Sequence, residues 1–223
     1  MSAKPQTLVS WSSGKDSAWA LHMLQQSNKL QVVGLFTTIN RVHHRVAMHG
    51  VTDRLVRAQA RAIRLPLQEV EIPNPCSNEE YERVMGLFVA DAKRQGIERI
   101  AFGDLSLMDI RRYREEKMRR SGIEPIFPIW GTSTEILSKN LIDHGFRMLV
   151  TCVDLGSVPR ELVGREYHES FLKELPKDVD PCGENGEFHT FVFDGPMFDK
   201  PLDVRCGVIV ERDGFAFADI VEE

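Results

Sequence analysis

Over the first hundred residues, apolar runs of strand length alternate with segments patterned as helices, and few architectures accept that rhythm. "TLVSW" reads as a short strand, and "LQVVGLFTTI" as a nearly all-apolar one, as expected for a strand covered on both faces. "PLQEVEI" and "IERIAFGD" supply two more. Between them stand helical patterns. "DSAWALHMLQQ" places Ala18, Leu21 and Leu24 on one face. "VTDRLVRAQARAIRL" follows, and then a helix that opens at Ser77 or Asn78 and ends at Gly96. The series β-α-β-α-β-α-β predicts a parallel sheet with helices on both sides.

The rhythm loosens after about Arg111. A basic helix over roughly 107–121 and the segment "EPIFPIWG" lead to a helix near 133–144, the strand "FRMLVTCVD" and a helix near 165–175. Three β-like runs, "FHTFVFD", "LDVRCGVIVE" and "GFAFADIV", close the chain. The expected organisation is a parallel α/β domain over 1–120 and a smaller α+β lobe over 121–223, with the boundary between 105 and 130. A chain of 223 residues with 42% hydrophobic content can bury a core for both.

The densest chemical signal follows the first strand, in "SSGKDS". In an open parallel sheet, ligands bind beyond the carboxyl ends of the strands. A helix start there offers unpartnered backbone N–H groups and partial positive charge, which favour an anion. Ser13 and Gly14 are small enough to let a phosphate approach the backbone, and Gly14 can take a positive φ. Lys15 adds a cation, while Ser12 and Ser17 add hydroxyl donors. The loop is not a Walker A sequence, because Val9 and Asp16 occupy the positions of its first glycine and its Ser/Thr. Asp16 beside phosphates is tolerable where it holds Mg2+ or orients its neighbours. As a simple structural alternative, Asp16 would only offset the helix dipole.

A second cluster lies in "GENGEFHTFVFDGPMF", residues 183–198, where Glu184, Glu187 and His189 fall within six residues. Strand alternation would turn Glu187 and His189 to one side, as a binder of ammonium or a proton-transfer pair. The plainer alternative is a polar turn leading into an ordinary strand. Asn185 and Thr190 sit beside these groups as candidate substrate contacts. Thr37 and Thr38 end the second strand and are expected to line an adenine pocket. Gly103 and Asp104 end the fourth strand at the same edge, where Asp104 could touch ribose, metal or substrate, or merely cap a helix. "RRYREEKMRR" is a cationic helix, in which Arg111 or Arg114 could face a substrate carboxylate, or Arg111 could pair with Glu115. Trp130 reads as core or wedge.

Several classes are disfavoured. A formal net charge of −5 gives no general attraction to nucleic acid. No run of 18 apolar residues exists to span a bilayer, and "MSAKPQ" leads directly into a strand, which makes a cytoplasmic location the expectation. Cys76, Cys152, Cys182 and Cys206 form no C-x-x-C pair, so zinc-ribbon and dithiol chemistry are not indicated and free thiols are expected. His43, His44 and His49 read as a loop, substrate-facing or otherwise, rather than as metal ligands. A homodimer is compatible with the sequence.

"SSGKDS" after an apolar strand resembles the pyrophosphate loop of the adenine-nucleotide alpha-hydrolase superfamily, usually S-G-G-x-D-S, with Ser13 in place of the first glycine. With "FGD" at 102–104, "EPIFPIWG" and the 183–198 cluster, nearly the whole chain resembles the diphthine–ammonia ligase (diphthamide synthase) family. The resemblance implies a Rossmann-like (HUP-type) nucleotide domain with a family-specific C-terminal lobe. It also implies ATP-dependent conversion of a carboxylate to an amide with ammonia, through an acyl-adenylate and with release of AMP and pyrophosphate. Members that act on translation elongation factor two typically carry Glu-Gly-Gly-Glu-Phe-Glu-Thr. Here Asn185 and His189 depart from it, as in the bacterial branch, and the acceptor, a protein side chain or a small molecule, stays open. No segment resembles a glutaminase, so free ammonium or another protein would supply the nitrogen. Two rival readings are a tRNA-modifying enzyme of the same superfamily and a non-catalytic ATP sensor.

Overall fold

In a computed structural model, residues 3–46 and 51–223 are described, and they divide into two compact units. The first comprises Met1–Ser12, Asp16–Ala47 and Leu65–Gly131; the second comprises Ser13–Lys15, Met48–Arg64 and Thr132–Glu223. The packing therefore draws a different division from a single cut at 120. Residues 121–131 group with the first unit, and a helix from the N-terminal half groups with the second.

The first unit is built on a mainly parallel sheet. β1 (Gln6–Ser10) lies between β2 (Gln31–Asn40) and β5 (Arg99–Ala101), parallel to both. β4 (Leu67–Ile72) extends the sheet beyond β2, and β6 (Glu124–Ile126) extends it beyond β5, again in parallel. Two short elements went unread in the sequence. One is β6; the other is β3 (Arg45–Val46), which returns antiparallel onto Ile39 and Asn40. The connecting helices are α1 (Lys15–Ser27), α3 (Asn78–Arg94) and α4 (Met108–Met118). Ser77 caps α3 as expected, its hydroxyl accepting the Glu80 N–H at 3.2 Å. The core joins Leu8, Phe36, Val70 and Ile100 from the strands, with Phe102 just past β5, to Ala92 and Met118 from the helices. Chain order runs outward from β1 to β2 and β4 in one direction and to β5 and β6 in the other. The strand order thus reverses between β1 and β5, the position where open α/β sheets bind ligands.

The second unit is built on an antiparallel sheet in the order β8 (Phe188–Asp194), β7 (Arg147–Asp154), β10 (Phe215–Glu222), β9 (Val204–Arg212). α2 (Asp53–Ile63) belongs here: the Asp199 N–H bonds to the Ala62 carbonyl, and Arg64 pairs with Asp199. α5 (Thr134–Asp143) and α6 (Glu169–Glu174) complete the unit. The helix expected near 165–175 is shorter because its first residues are taken by the sheet. β10 pairs with β7 only over Cys152–Asp154, and the extended segment 164–167 bonds along Met148–Val150 instead. Backbone groups on that stretch of β7 are satisfied this way, so α6 starts at Glu169.

Candidate functional site: the loop after the first strand

Residues on either side of the loop belong to the first unit. The Trp11 N–H bonds to the Phe36 carbonyl at 2.7 Å, holding the chain to β2 up to the start of the loop. The Ser17 hydroxyl then accepts the Ser12 N–H at 3.3 Å and lies 3.2 Å from the Ser12 hydroxyl. Asp16 occupies the first turn of α1, where a carboxylate suits the helix dipole. Gly103, just past β5, packs directly on this turn. A Cβ at Gly103 would stand 2.8 Å from the Asp16 carbonyl carbon and 2.9 Å from the Ser17 nitrogen, so a glycine is required for the approach. Asp104 is held by Arg114 through two hydrogen bonds of 2.6 and 3.2 Å. Thr37 and Thr38 lie inside β2, which runs on to Asn40 because β4 pairs with it that far; Thr37 is buried and its hydroxyl has no partner among the described residues.

The loop's centre, Ser13–Lys15, belongs to the second unit, and there it meets the other sequence signature. The Lys15 N–H donates to the Thr190 hydroxyl at 3.2 Å, and the Val192 N–H donates to the Ser13 carbonyl at 2.9 Å. Gln59 of α2 is fully buried and donates its amide to both the Ser13 carbonyl (3.1 Å) and the Val192 carbonyl (2.6 Å). The buried Lys15 ammonium lies 5.8 Å from the centroid of Phe188, within cation–π range. The positive φ of the loop falls at Ser13, with φ 72°, and not at Gly14. The Ser13 hydroxyl is also buried without a protein partner. Because the peptide is planar and trans, a Ser13 carbonyl fixed on β8 and Gln59 turns the Gly14 N–H the opposite way.

The acidic signature forms its own compact turn in the second unit. Asp180 organises one side: its carboxylate accepts the Cys182 N–H (2.7 Å), the Glu184 N–H (3.4 Å) and the Thr134 hydroxyl (2.6 Å). Glu187 organises the other. It accepts the Asp180 N–H at 3.1 Å and both the backbone and side-chain N–H of Asn185 at 2.9 Å. Burial pushes the Glu187 carboxyl up, but these hydrogen bonds together outweigh it and hold the group below the ordinary carboxylate value. Gly183 has φ 68°, and a Cβ there would meet the Phe188 carbonyl oxygen at 2.7 Å. β8 begins at Phe188, and the Asp154 N–H bonds to the Glu187 carbonyl at 2.8 Å, which carries the pairing with β7 on to Glu187, one residue before the strand.

The remaining candidates have local partners. Arg111 pairs with Glu115 at 2.8 Å and stacks its guanidinium over Phe127 and Trp130, at 4.9 and 4.7 Å from their centroids. Arg114 lies 4.2 Å over Phe102 while it grips Asp104. His43 contacts the Asn74 amide at 3.0 Å, whereas His49 lies outside the described residues. Among the described residues, no group of three His, Cys, Asp or Glu side chains could hold a metal by itself, and no helix is long and apolar enough to cross a membrane. Burial pushes the Cys152 thiol up to about 11, which makes it a poor nucleophile.

Sequence reading missed Gln59 and Asp180. Gln59 looks like one more polar residue of an amphipathic helix, and only the buried carbonyls opposite it reveal its use. Asp180 had a signal, since it precedes the Pro-Cys-Gly turn by which a carboxylate commonly caps backbone N–H groups.

A parallel sheet whose strand order reverses at a strand–loop–helix turn is a doubly wound α/β fold, which the adenine-nucleotide alpha-hydrolase class fits. Residues 5–125 match the N-terminal domain of diphthamide synthase, and residues 133–220 match its C-terminal domain. The chain belongs to the diphthamide synthase family. Human diphthine–ammonia ligase is 27% identical over 184 residues, covering 80% of this chain and 68% of the human protein. The Bos taurus protein of that name is 30% identical over 151 residues, 65% of this chain and 56% of its own length. The Danio rerio one is 26% identical over 238 residues, 94% and 90% respectively. Among solved structures, a predicted subunit of a tRNA methyltransferase from Methanocaldococcus jannaschii aligns with a TM-score of 0.48. It is 15% identical and covers 86% of this chain and 98% of that chain.

Proposed function

We propose that the chain is an ATP-dependent amide ligase, which adenylates a carboxylate and transfers ammonia to it, releasing AMP and pyrophosphate. The hydrogen bond from the Lys15 N–H to Thr190 carries this reading, because it joins the two signatures in one compact unit. The buried, unpartnered hydroxyls of Ser13 and Thr37 support it as well, each being a polar group of the kind a bound nucleotide satisfies.

In the first step a carboxylate oxygen attacks the α-phosphorus of ATP. The bond from that phosphorus to the bridging oxygen breaks, and its electron pair leaves with pyrophosphate. Backbone amides of the loop, the Lys15 ammonium and the α1 dipole meet the charge that gathers on the departing phosphates. Mg2+ needs only one or two protein carboxylates when phosphates supply its other oxygens, and Asp16 is the carboxylate of the loop. When bound, the ion would neutralise phosphate charge. In the second step ammonia attacks the acyl carbon, the bond to AMP breaks, and nitrogen gives up a proton to form the neutral amide. Glu184 and His189 are the groups assigned to ammonium and that proton. Glu187, Asn185 and Thr190 hold the loop that presents them. Asp104 takes the ribose side of the switch-point crevice, with Arg114 fixing its carboxylate, and Arg111 stays available to a substrate carboxylate beside Glu115. A cytoplasmic location belongs to the same proposal, and the free cysteines support it.

Incubation with ATP, ammonium and a panel of carboxylates, followed by phosphorus NMR, tests the reading. AMP and pyrophosphate are expected in equal amounts and only with all components present. ADP would eliminate the mechanism, and ATP recovered unchanged across the panel would favour a sensor.

A further inference from the structure

α3 is poorly covered for its length. Of its 17 residues only Ala92 is buried, while Val84, Met85, Phe88 and Val89 are half-covered. Between α3 and α4, wholly within the first unit, runs an open groove of about 560 Å³, a volume typical of small-molecule sites. Met85, Val89, Phe102 and Met118 form its apolar bed.

Two further features point to an occupant. Gly86 lies on this groove in the middle of α3, where glycine weakens a helix. A Cβ there would meet nothing within 4 Å, so no packing inside the chain calls for a glycine. Charge is the second feature. The lining includes Lys93, Arg114, Lys117 and Arg120, against the single carboxylate Glu82 among the described residues. Lys117 neutralises Glu82 at 2.7 Å, and Arg114 is taken by Asp104. Lys93 reaches the Gly122 carbonyl at 2.7 Å, which brings it to the end of the groove where Arg120 stands, and among the described residues neither has a carboxylate partner there.

We propose that this groove binds an elongated apolar molecule carrying one anionic group, an acyl or aryl carboxylate, with its head toward Lys93 and Arg120 and its body over Gly86. Tyr81 and Lys93, at the two ends of the lining on α3, are 12 residues apart, or about 18 Å along a helix, which sets the length of ligand the groove accepts. The inference is independent of the ligase reading.

Fluorescence of anilinonaphthalene sulfonate, displaced by dodecanoate, tests it. Saturable binding and displacement are expected with the unaltered chain. Gly86→Leu fills the groove with a strong helix former, so loss of binding with a retained circular dichroism spectrum and an equal or higher melting temperature supports the site. Lys93→Glu with Arg120→Glu should weaken dodecanoate about tenfold or more while leaving dodecanol unaffected, as expected for loss of a charge-assisted contact. Three results overturn the proposal: equal binding by Gly86→Leu, equal affinity for dodecanoate and dodecylammonium, or a dimer of the unaltered chain that Gly86→Leu converts to monomer. That last outcome would assign the face to a second copy.

Discussion

The backbone N–H of Lys15 donates to the side-chain hydroxyl of Thr190, across 175 residues of sequence, at 3.2 Å. Both residues are buried, so water does not replace either partner cheaply. Thr190→Val keeps the shape and removes the acceptor. Leaving the Lys15 N–H unpaired should cost about 1–3 kcal/mol of stability, read from urea unfolding. ATP turnover should fall with it, whereas Thr190→Ser should retain both. Unchanged turnover in the valine variant would separate the second signature from the chemistry.

Gln59 reinforces the same junction from α2 through the Ser13 and Val192 carbonyls. Gln59→Met fills the same space without a donor. The Ser13 carbonyl keeps the Val192 N–H, so the fold should survive with a loss of about 1–3 kcal/mol. The loop peptide, held by one bond fewer, should bind ATP more weakly. Calorimetric titration with a non-hydrolysable ATP analogue reads this effect, and an unaltered affinity would leave Gln59 with a purely structural part.

Ser13 separates stability from binding with opposite signs. Its φ of 72° is a conformation that costs a non-glycine residue about 1–2 kcal/mol. Ser13→Gly removes that strain and a buried unpartnered hydroxyl, but it also enlarges the unfolded ensemble, which takes back about 0.4–1 kcal/mol. A net gain of roughly 0.5–1 kcal/mol is expected from these two terms. ATP affinity should drop nonetheless, because the hydroxyl is lost from the phosphate loop. A less stable variant, or one that binds ATP more tightly, would contradict the role given to this serine.

The Ser13 case also marks what a sequence can and cannot disclose here. The parallel sheet was legible because its strands are long apolar runs separated by amphipathic helices, and that period survives without tertiary knowledge. β3 and β6 were not, since strands of two and three residues carry no period of their own; β5, equally short, was legible only from its place in the alternation of strands and helices. The two chemical signatures were legible as clusters of unusual residues. Their contact was not, because it is made by backbone groups of Ser13, Lys15 and Val192, which leave no trace in residue identity. The same holds for Glu187. Its position invites a catalytic reading, and residue identity does not disclose the N–H groups from Asp180 and Asn185 that converge on it.

Glu187 therefore makes a prediction about pH. Its carboxyl lies below the ordinary value in the folded chain, despite burial, because the converging N–H groups favour the ionised form. A group depressed on folding contributes stability that is fully present above its unfolded value, near 4.5, and is lost as pH falls through the lower folded value. At neutral pH, Glu187→Gln gives up hydrogen bonds to a charged acceptor and should be less stable by about 1.5–3 kcal/mol. The gap between the two proteins should be constant from pH 7 down to about 5 and should close progressively below it. Urea unfolding at intervals of pH measures the gap directly. A difference that persists unchanged into strong acid would mean that the Glu187 charge is not what holds the turn from Asp180 to Glu187 together.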